Sequence, residues 1–167
     1  MADPIAHPAV RRVQAALAEA GSQAQVIALA STARSAEDAA QSIGTPLGSI
    51  VKSLVFTVAG SPVMALVAGD RRCDPKALGR ALGREGKVRR ADADAVRAAT
   101  GFSIGAVAPL AHETPLPVAI DASLGRFETV YAAAGHPHCV FATTVEELER
   151  LTGGTVKAEI AIETCSR

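Results

Sequence analysis

Two stretches of the sequence carry residue types suited to chemistry. The first is Lys52, inside the apolar run Ile50–Val58. Strand alternation puts Ile50, Lys52, Leu54, Phe56 and Val58 on one face, and Val51, Ser53, Val55 and Thr57 on the other. The lysine therefore falls on the more apolar face. It either snorkels from the sheet end into solvent or projects its ammonium into a lined cavity. In a cavity it would be a strong donor to a carbonyl or phosphate oxygen, because a low dielectric magnifies its charge. Alternation alone leaves both readings open.

The second stretch is Thr100-Gly101-Phe102-Ser103-Ile104-Gly105-Ala106-Val107-Ala108-Pro109, with two glycines four residues apart and a proline four after the second. Glycine permits backbone conformations and close approaches that side chains block, and proline fixes the exit. Such a loop can aim bare N–H groups at a ligand, as an oxyanion hole does, or can be an ordinary tight connection. Gly101-x-Ser103-x-Gly105 also matches the nucleophile elbow of serine esterases, with Asp121 and His136 or His138 following in triad order. An elbow must join a strand to a helix. Here a helix pattern precedes it and Ala-Val-Ala-Pro follows, so the esterase reading ranks last.

Gly135-His136-Pro137-His138-Cys139 has the residue types of a metal site without its spacing. His136 and His138 share a face when extended, Cys139 points away, and no adjacent motif supplies a third ligand. A loop at a pocket rim is expected, with no metal and no cofactor. Between Arg71 and Arg90, the basic residues Arg71, Arg72, Lys76, Arg80, Arg84, Lys87, Arg89 and Arg90 face only Asp74 and Glu85, inside a chain of zero formal charge. Lys76, Arg80 and Arg84 recur at helical spacing opposite Leu78 and Leu82, which could lay one basic face along a phosphate backbone. A merely solvated basic helix is the alternative.

The elements that must position these residues follow from periodicity and punctuation. Helices are expected over Pro8–Ala20, Ala36–Ser42 with Ser35 as N-cap, Asp74-Pro75 to about Leu82, and Asp92–Ala99. A last helix runs to Leu151 from a capping box of Thr144 and Glu147. Val26–Leu29, the hairpin Ile50–Val58/Val63–Val67, Val118–Ile120, Phe127–Ala132, Cys139–Phe141 and Thr155–Ile162 read as strands. Without a regular βαβ rhythm, the expected class is α+β: a curved, largely antiparallel mixed sheet flanked by helices. The chain has 167 residues, 49% of them hydrophobic, which suits one core and one domain over 1–167. Trp is absent and aromatics are scarce, so Ala, Val, Leu and Ile must build that core. Cys73, Cys139 and Cys165 are widely spaced and odd in number, as free thiols in a reducing cytoplasm would be. No signal-peptide pattern or membrane-length apolar run is present, so a cytoplasmic protein is expected.

These landmarks, in this order, resemble the YbaK/prolyl-tRNA synthetase-associated editing-domain family. The resemblance rests on Ser35-Ala36-Glu37-Asp38-Ala39-Ala40, Ile50-Val51-Lys52-Ser53-Leu54-Val55, Thr100-Gly101-Phe102, Gly105 through Pro109, Leu116-Pro117, Ile120-Asp121 and Ala134-Gly135. It implies a freestanding, trans-acting deacylase of mischarged tRNA, chiefly tRNA(Pro) carrying a small noncognate amino acid. Prolyl-tRNA synthetase becomes a candidate partner. The family's essential lysine maps to Lys52, its GxxxP loop to Gly105–Pro109, its pocket aspartate to Asp121 and its later glycine to Gly135. Ser53 stands where many members carry Thr, and the segment from Gly135 to His138 is less typical of the family.

An aminoacyl ester is already activated, so placing it and stabilising its oxyanion can suffice. Lys52, Gly105 and Ala106 are then the catalytic candidates. Ser53, Thr100, Gly101, Pro109, Asp121, Gly135 and His136 are candidates for binding substrate. Arg71, Arg72, Lys76, Arg80 and Arg84 are candidates for binding tRNA. The competing classes are a non-catalytic nucleic-acid-binding module built on the basic stretch, and a small esterase using Ser103.

Overall fold

A computed structural model describes residues 3–164; Cys165 lies outside the described residues. The chain runs α1 (Pro8–Glu19), β1 (Val26–Ala28), α2 (Ala36–Ile43), β2 (Ile50–Val58), β3 (Ser61–Ala68), β4 (Arg71–Cys73), α3 (Pro75–Ala81) and β5 (Val88–Arg90). It continues through α4 (Ala93–Thr100), β6 (Val118–Asp121), β7 (Val130–Ala133), β8 (Cys139–Thr143), α5 (Val145–Thr152), β9 (Thr155–Lys157) and β10 (Ala161–Glu163). The helix starts follow their caps. Ser35 Oγ accepts the Asp38 N–H at 3.1 Å, Asp92 caps α4 at 2.8 Å, and Thr144 Oγ1 accepts the Glu147 N–H at 3.1 Å.

The main sheet has the order β1-β8-β7-β2-β3-β6-β9, with β5 also paired to β2; β4 and β10 form a separate ribbon. Pairs β1/β8, β7/β8, β2/β3 and β2/β5 are antiparallel, while β2/β7, β3/β6 and β6/β9 are parallel. The expected mixed, mainly antiparallel sheet flanked by helices is what forms. The closing segment differs from expectation. In place of one strand over Thr155–Ile162, a 3-10 turn at Ala158–Ile160 separates β9 from β10. Ile160 is fully buried there and its carbonyl takes the Asp74 N–H at 2.8 Å, so the chain leaves one sheet and joins the other. Strands β4 and β5 were also not anticipated: Arg-Arg-Cys and Val-Arg-Arg carry no apolar alternation, and backbone pairing alone makes them strands.

The hairpin β2/β3 is covered on both faces. Val51, Val55, Met64 and Leu66 pack with Val10, Val13 and Leu17 of α1, Val96 of α4 and Phe102. Phe56, Val58, Val63 and Val67 pack with Leu78 of α3 and Ile160. On its outer edge β2 is paired discontinuously. β7 takes Ile50 and Val51, β5 takes Phe56 to Val58, and the Ala91 N–H reaches the Val55 carbonyl at 3.1 Å. Lys52, Ser53 and Leu54 therefore have no strand partner on that side among the described residues, and a cavity opens at this gap.

Candidate active site

A mainly apolar cavity of about 280 Å³ occupies the gap. Its walls are the start of α2 with the residues before it (Ala33–Ala36), the β2 segment Ile50–Val55, Arg90 and Ala91 at the end of β5, Ile104, Gly105 and Val107, and the β7–β8 turn with His136. Lys52 is half-buried on this wall, and its ammonium donates to the carbonyl of Arg71 in β4. That settles where the side chain goes: it does not wave in solvent. Burial lowers its pKa from the ordinary lysine value, partly opposed by Glu37 and reinforced by Arg90. One acceptor leaves two of its three protons for a ligand. Ser53, also on the wall, has a buried Oγ with no protein partner. A buried hydroxyl of this kind ordinarily finds one.

The glycine–proline loop delivers Ile104, Gly105 and Val107 to the cavity, and among the described residues none of their N–H groups donates to a protein acceptor. Ala106 differs from expectation. Its N–H closes a turn onto the Ser103 carbonyl at 3.0 Å, and the residue is not on the wall. Gly105 is the third residue of that turn at φ +89°, a conformation suited to glycine. The bare donors are thus the residues flanking Ala106, because the turn consumes its own.

Several substrate-binding candidates support the site without lining it. Thr100 is fully buried; its Oγ1 donates to Val96 at 2.7 Å and accepts the Phe102 N–H at 3.0 Å. Gly101 ends α4 in the left-handed conformation, and Pro109 is buried in the loop's exit. Asp121 is buried and accepts from Ala68 N–H at 3.0 Å and from the Ser123 N–H and hydroxyl, both at 2.8 Å. Those bonds pin β3 to the turn after β6 and use the carboxylate on the protein itself. At Gly135, φ is +94° and a Cβ would lie 3.0 Å from the backbone of Ala9, so its role is close contact with α1.

His136 does line the cavity. Its Nδ1 accepts the His138 N–H at 3.0 Å, and its ring lies 5.3 Å from that of His7 and 5.5 Å from that of His138. Burial lowers its pKa first, and the neighbouring His138 and His7 add to this. Among the described residues no three His, Cys, Asp or Glu side chains group as metal ligands. The basic candidates divide. Arg72, Lys76, Arg80 and Arg84 are exposed, whereas Arg71 pairs with Asp70 at 3.8 Å and Glu163 at 3.5 Å. Nor does one helix face carry Lys76, Arg80 and Arg84. α3 stops at Ala81, Gly83 turns at φ +65°, and the Arg84 N–H folds back to the Gly79 carbonyl. Sequence reasoning missed Arg34 and Tyr131 on the wall, and treated Arg90 only as part of the basic run.

The elbow geometry is absent. Ser103 follows α4, leads into a turn, and its exposed hydroxyl accepts from Arg97 at 2.7 Å. Asp121 and His136 spend the atoms a triad would need on backbone N–H groups.

A family model described as aminoacyl-tRNA editing domain matches residues 30–151, a span that holds every wall of the cavity. The chain belongs to this family. The editing domain superposes, with a TM-score of 0.86 and 40% identity, on a solved structure described as "Crystal structure of a putative trans-editing enzyme for prolyl tRNA synthetase", covering 95% of this chain and 99% of that one. Uncharacterized protein YwhH of Bacillus subtilis is 36% identical over 127 residues, 74% of this chain and 78% of that protein. A protein of Enterococcus faecalis named "Putative Cys-tRNA(Pro)/Cys-tRNA(Cys) deacylase EbsC" is 30% identical over 122 residues, 72% of this chain and 73% of that protein. The editing domain is a hydrolase acting on mischarged aminoacyl-tRNA, as the resemblance implied. The readings as a non-catalytic binding module and as a serine esterase fall. Among the described residues, no helix is long and apolar enough to cross a membrane.

Proposed function

We propose that the cavity at the β2 gap is the deacylation site, and that its substrate is tRNA(Pro) carrying a small noncognate amino acid. The observation carrying this reading is the convergence of Lys52 and the bare N–H groups of Ile104, Gly105 and Val107 on one cavity. The volume of about 280 Å³ sits at the small end of ligand pockets, which suits an aminoacyl group. The names given to the solved neighbour and to the Enterococcus protein support tRNA(Pro) as the carrier and prolyl-tRNA synthetase as the supplier.

In the proposed reaction water adds to the ester carbonyl carbon, and the negative charge developing on its oxygen is met by loop N–H groups. Lys52 fixes the ester and the terminal nucleotide through its remaining protons. Collapse breaks the bond to the ribose oxygen, which takes up a proton and leaves as the free hydroxyl of the tRNA. The substrate's other ribose hydroxyl assists that transfer. Ser53 and His136 contact the aminoacyl group, and the apolar walls limit its size. A missing methylene alone separates amino acids by only ~10–200-fold, which is why a second, hydrolytic sieve is useful. The reading takes the protein as a single cytoplasmic domain over 1–167.

Deacylation of Ala-, Ser- and Cys-charged tRNA(Pro) by the parent, Lys52→Ala and Ser103→Ala proteins tests it. Turnover of at least one of these substrates, abolished by Lys52→Ala and retained by Ser103→Ala, is expected. Full activity of Lys52→Ala would remove the lysine from the mechanism.

A further inference from the structure

Arg12 lies on α1, outside the cavity, yet its side chain is committed to the loop that borders it. Its Nη2 donates to the Thr100 carbonyl at 2.8 Å and its Nε to the Ala111 carbonyl at 2.9 Å. The guanidinium sits 4.3 Å from the centre of the Phe102 ring. We propose that Arg12 is a positioning residue for deacylation, acting by clasping the two ends of the 101–110 loop so that its N–H groups meet the ester. The inference rests on the site reading given above.

The two carbonyls bracket the segment that carries Ile104, Gly105 and Val107. A planar guanidinium can hold both at once, whereas an ammonium is a single point charge. The surroundings are built around it. A Cβ on Gly101 would lie 2.8 Å from Nη2 and 2.9 Å from Nη1, so this residue leaves room for the guanidinium besides turning at φ +79°. Ala111 holds φ +65°, a backbone conformation that a residue with a side chain keeps only when its neighbours enforce it. Its carbonyl is one of the two that Arg12 binds. Without Arg12 the backbone bonds left across the loop base are two long ones, Glu113 N–H to Thr100 and Thr114 N–H to Ala99, both 3.3 Å, beside the His112 Nε2 contact with the Ala108 carbonyl at 2.7 Å.

The cavity end is held more loosely: Arg97 donates to the exposed Ser103 hydroxyl at 2.7 Å and Val107 is buried in the core, but Ile104 and Gly105 between them are exposed. Beyond the Ala106–Ser103 turn, its N–H groups have no protein acceptors among the described residues, and the space beside Gly105 is open. Placement of the donors therefore leans on the base as well as on these contacts. The ion pair with Glu113 does not explain this role: it spans 3.5 Å, and the glutamate side chain is 61% exposed.

The test compares the parent with Arg12→Ala, Arg12→Lys and Glu113→Gln, each assayed below its own melting temperature on mischarged tRNA(Pro). The Gly105 amide resonance is followed by NMR in parallel. A displacement of about 1 Å at a reacting centre can cost ~100-fold, so Arg12→Ala is expected to lower kcat about 10- to 100-fold with KM within about threefold. Its Gly105 resonance should shift. Arg12→Lys should show the same split in smaller measure, and Glu113→Gln should match the parent. Parent kcat and an unmoved Gly105 resonance in folded Arg12→Ala overturn the proposal. So does a fall in kcat that only tracks the unfolded fraction. If Arg12→Ala does not fold, Arg12→Lys decides on the same two readouts. A parent protein without deacylase turnover would instead sink the site reading, while the Gly105 resonance still reports on the clasp.

Discussion

Lys52 shows how much of a residue's chemistry depends on what surrounds it. Alternation put it on an apolar face, and that much followed from Ile50–Val58 alone. Its destination did not, because the Arg71 carbonyl that receives it comes from β4, whose sequence Arg-Arg-Cys has no strand signature. Ala106 teaches the same lesson in reverse. Its place in a glycine-rich loop made it an attractive donor, but only the turn geometry shows its N–H already bound to Ser103. The displaced lysine pKa has a measurable sign. Burial disfavours the charged ammonium, so the proton leaves at a lower pH than from a free lysine, whose value is about 10.4. A reaction that needs the charge should fall along an alkaline limb beginning below that value. Single-turnover rates corrected for spontaneous ester hydrolysis should show the limb in the parent and lose it in Lys52→Arg, whose charge does not titrate in that range. A limb unchanged by that substitution would assign the ionisation to another group.

At the scale of elements, the decisive feature is the interrupted edge of β2. The strand itself was legible from its apolar run. The interruption was not, since it needs β7 and β5 to stop short from opposite ends, and β5 is Val-Arg-Arg. The other end of β3 is fixed by a polar contact with equally little local signal. Arg126, in the turn after β6, makes two bonds to Asp70 at 2.9 and 2.7 Å and a third to the Ser123 carbonyl at 2.6 Å. Gly48 has no Cβ because one would lie 2.9 Å from both members of the pair. The hydrogen bond from Arg126 is the main cause holding the Asp70 carboxyl below its ordinary pKa. Because the folded value is the lower one, its stabilisation is present above the unfolded value of about 3.9 and fades as pH falls further. Asp70→Asn should therefore flatten part of the loss of stability below about pH 4. At neutral pH it should cost no more than about 1 kcal/mol, since both partners are about one-third exposed. Urea unfolding of both proteins at pH 3 to 7 measures this, and parallel stability curves would exclude the pair as a source of acid sensitivity.

For the whole molecule, zero formal charge hides an uneven field, because eight basic residues crowd between Arg71 and Arg90 against two acidic ones. Folding changes what that stretch can do. Arg71 is drawn into pairs with Asp70 and Glu163, and Arg90 is carried to the cavity wall, leaving Arg72, Lys76, Arg80, Arg84, Lys87 and Arg89 facing solvent. The stretch also adjoins the site through backbone, since the Arg71 carbonyl receives Lys52. A tRNA whose 3′ end enters the cavity would then lay nearby phosphates along α3 and the turn after it. Each phosphate contact releases condensed counterions, contributing about 0.7 to 0.9 to the slope of log affinity against log salt. Replacing Lys76, Arg80 and Arg84 together by Ala should lower the magnitude of that slope by about two to three. Single-turnover hydrolysis at saturating enzyme should stay near the parent rate, because none of the three lies on the cavity wall. Filter binding of tRNA between about 50 and 200 mM salt measures the slope in the range where the effect is largest. An unchanged slope would place the tRNA backbone on another face and leave α3 as a solvated surface. A slope that falls together with the saturated rate would mean that these side chains also order the site.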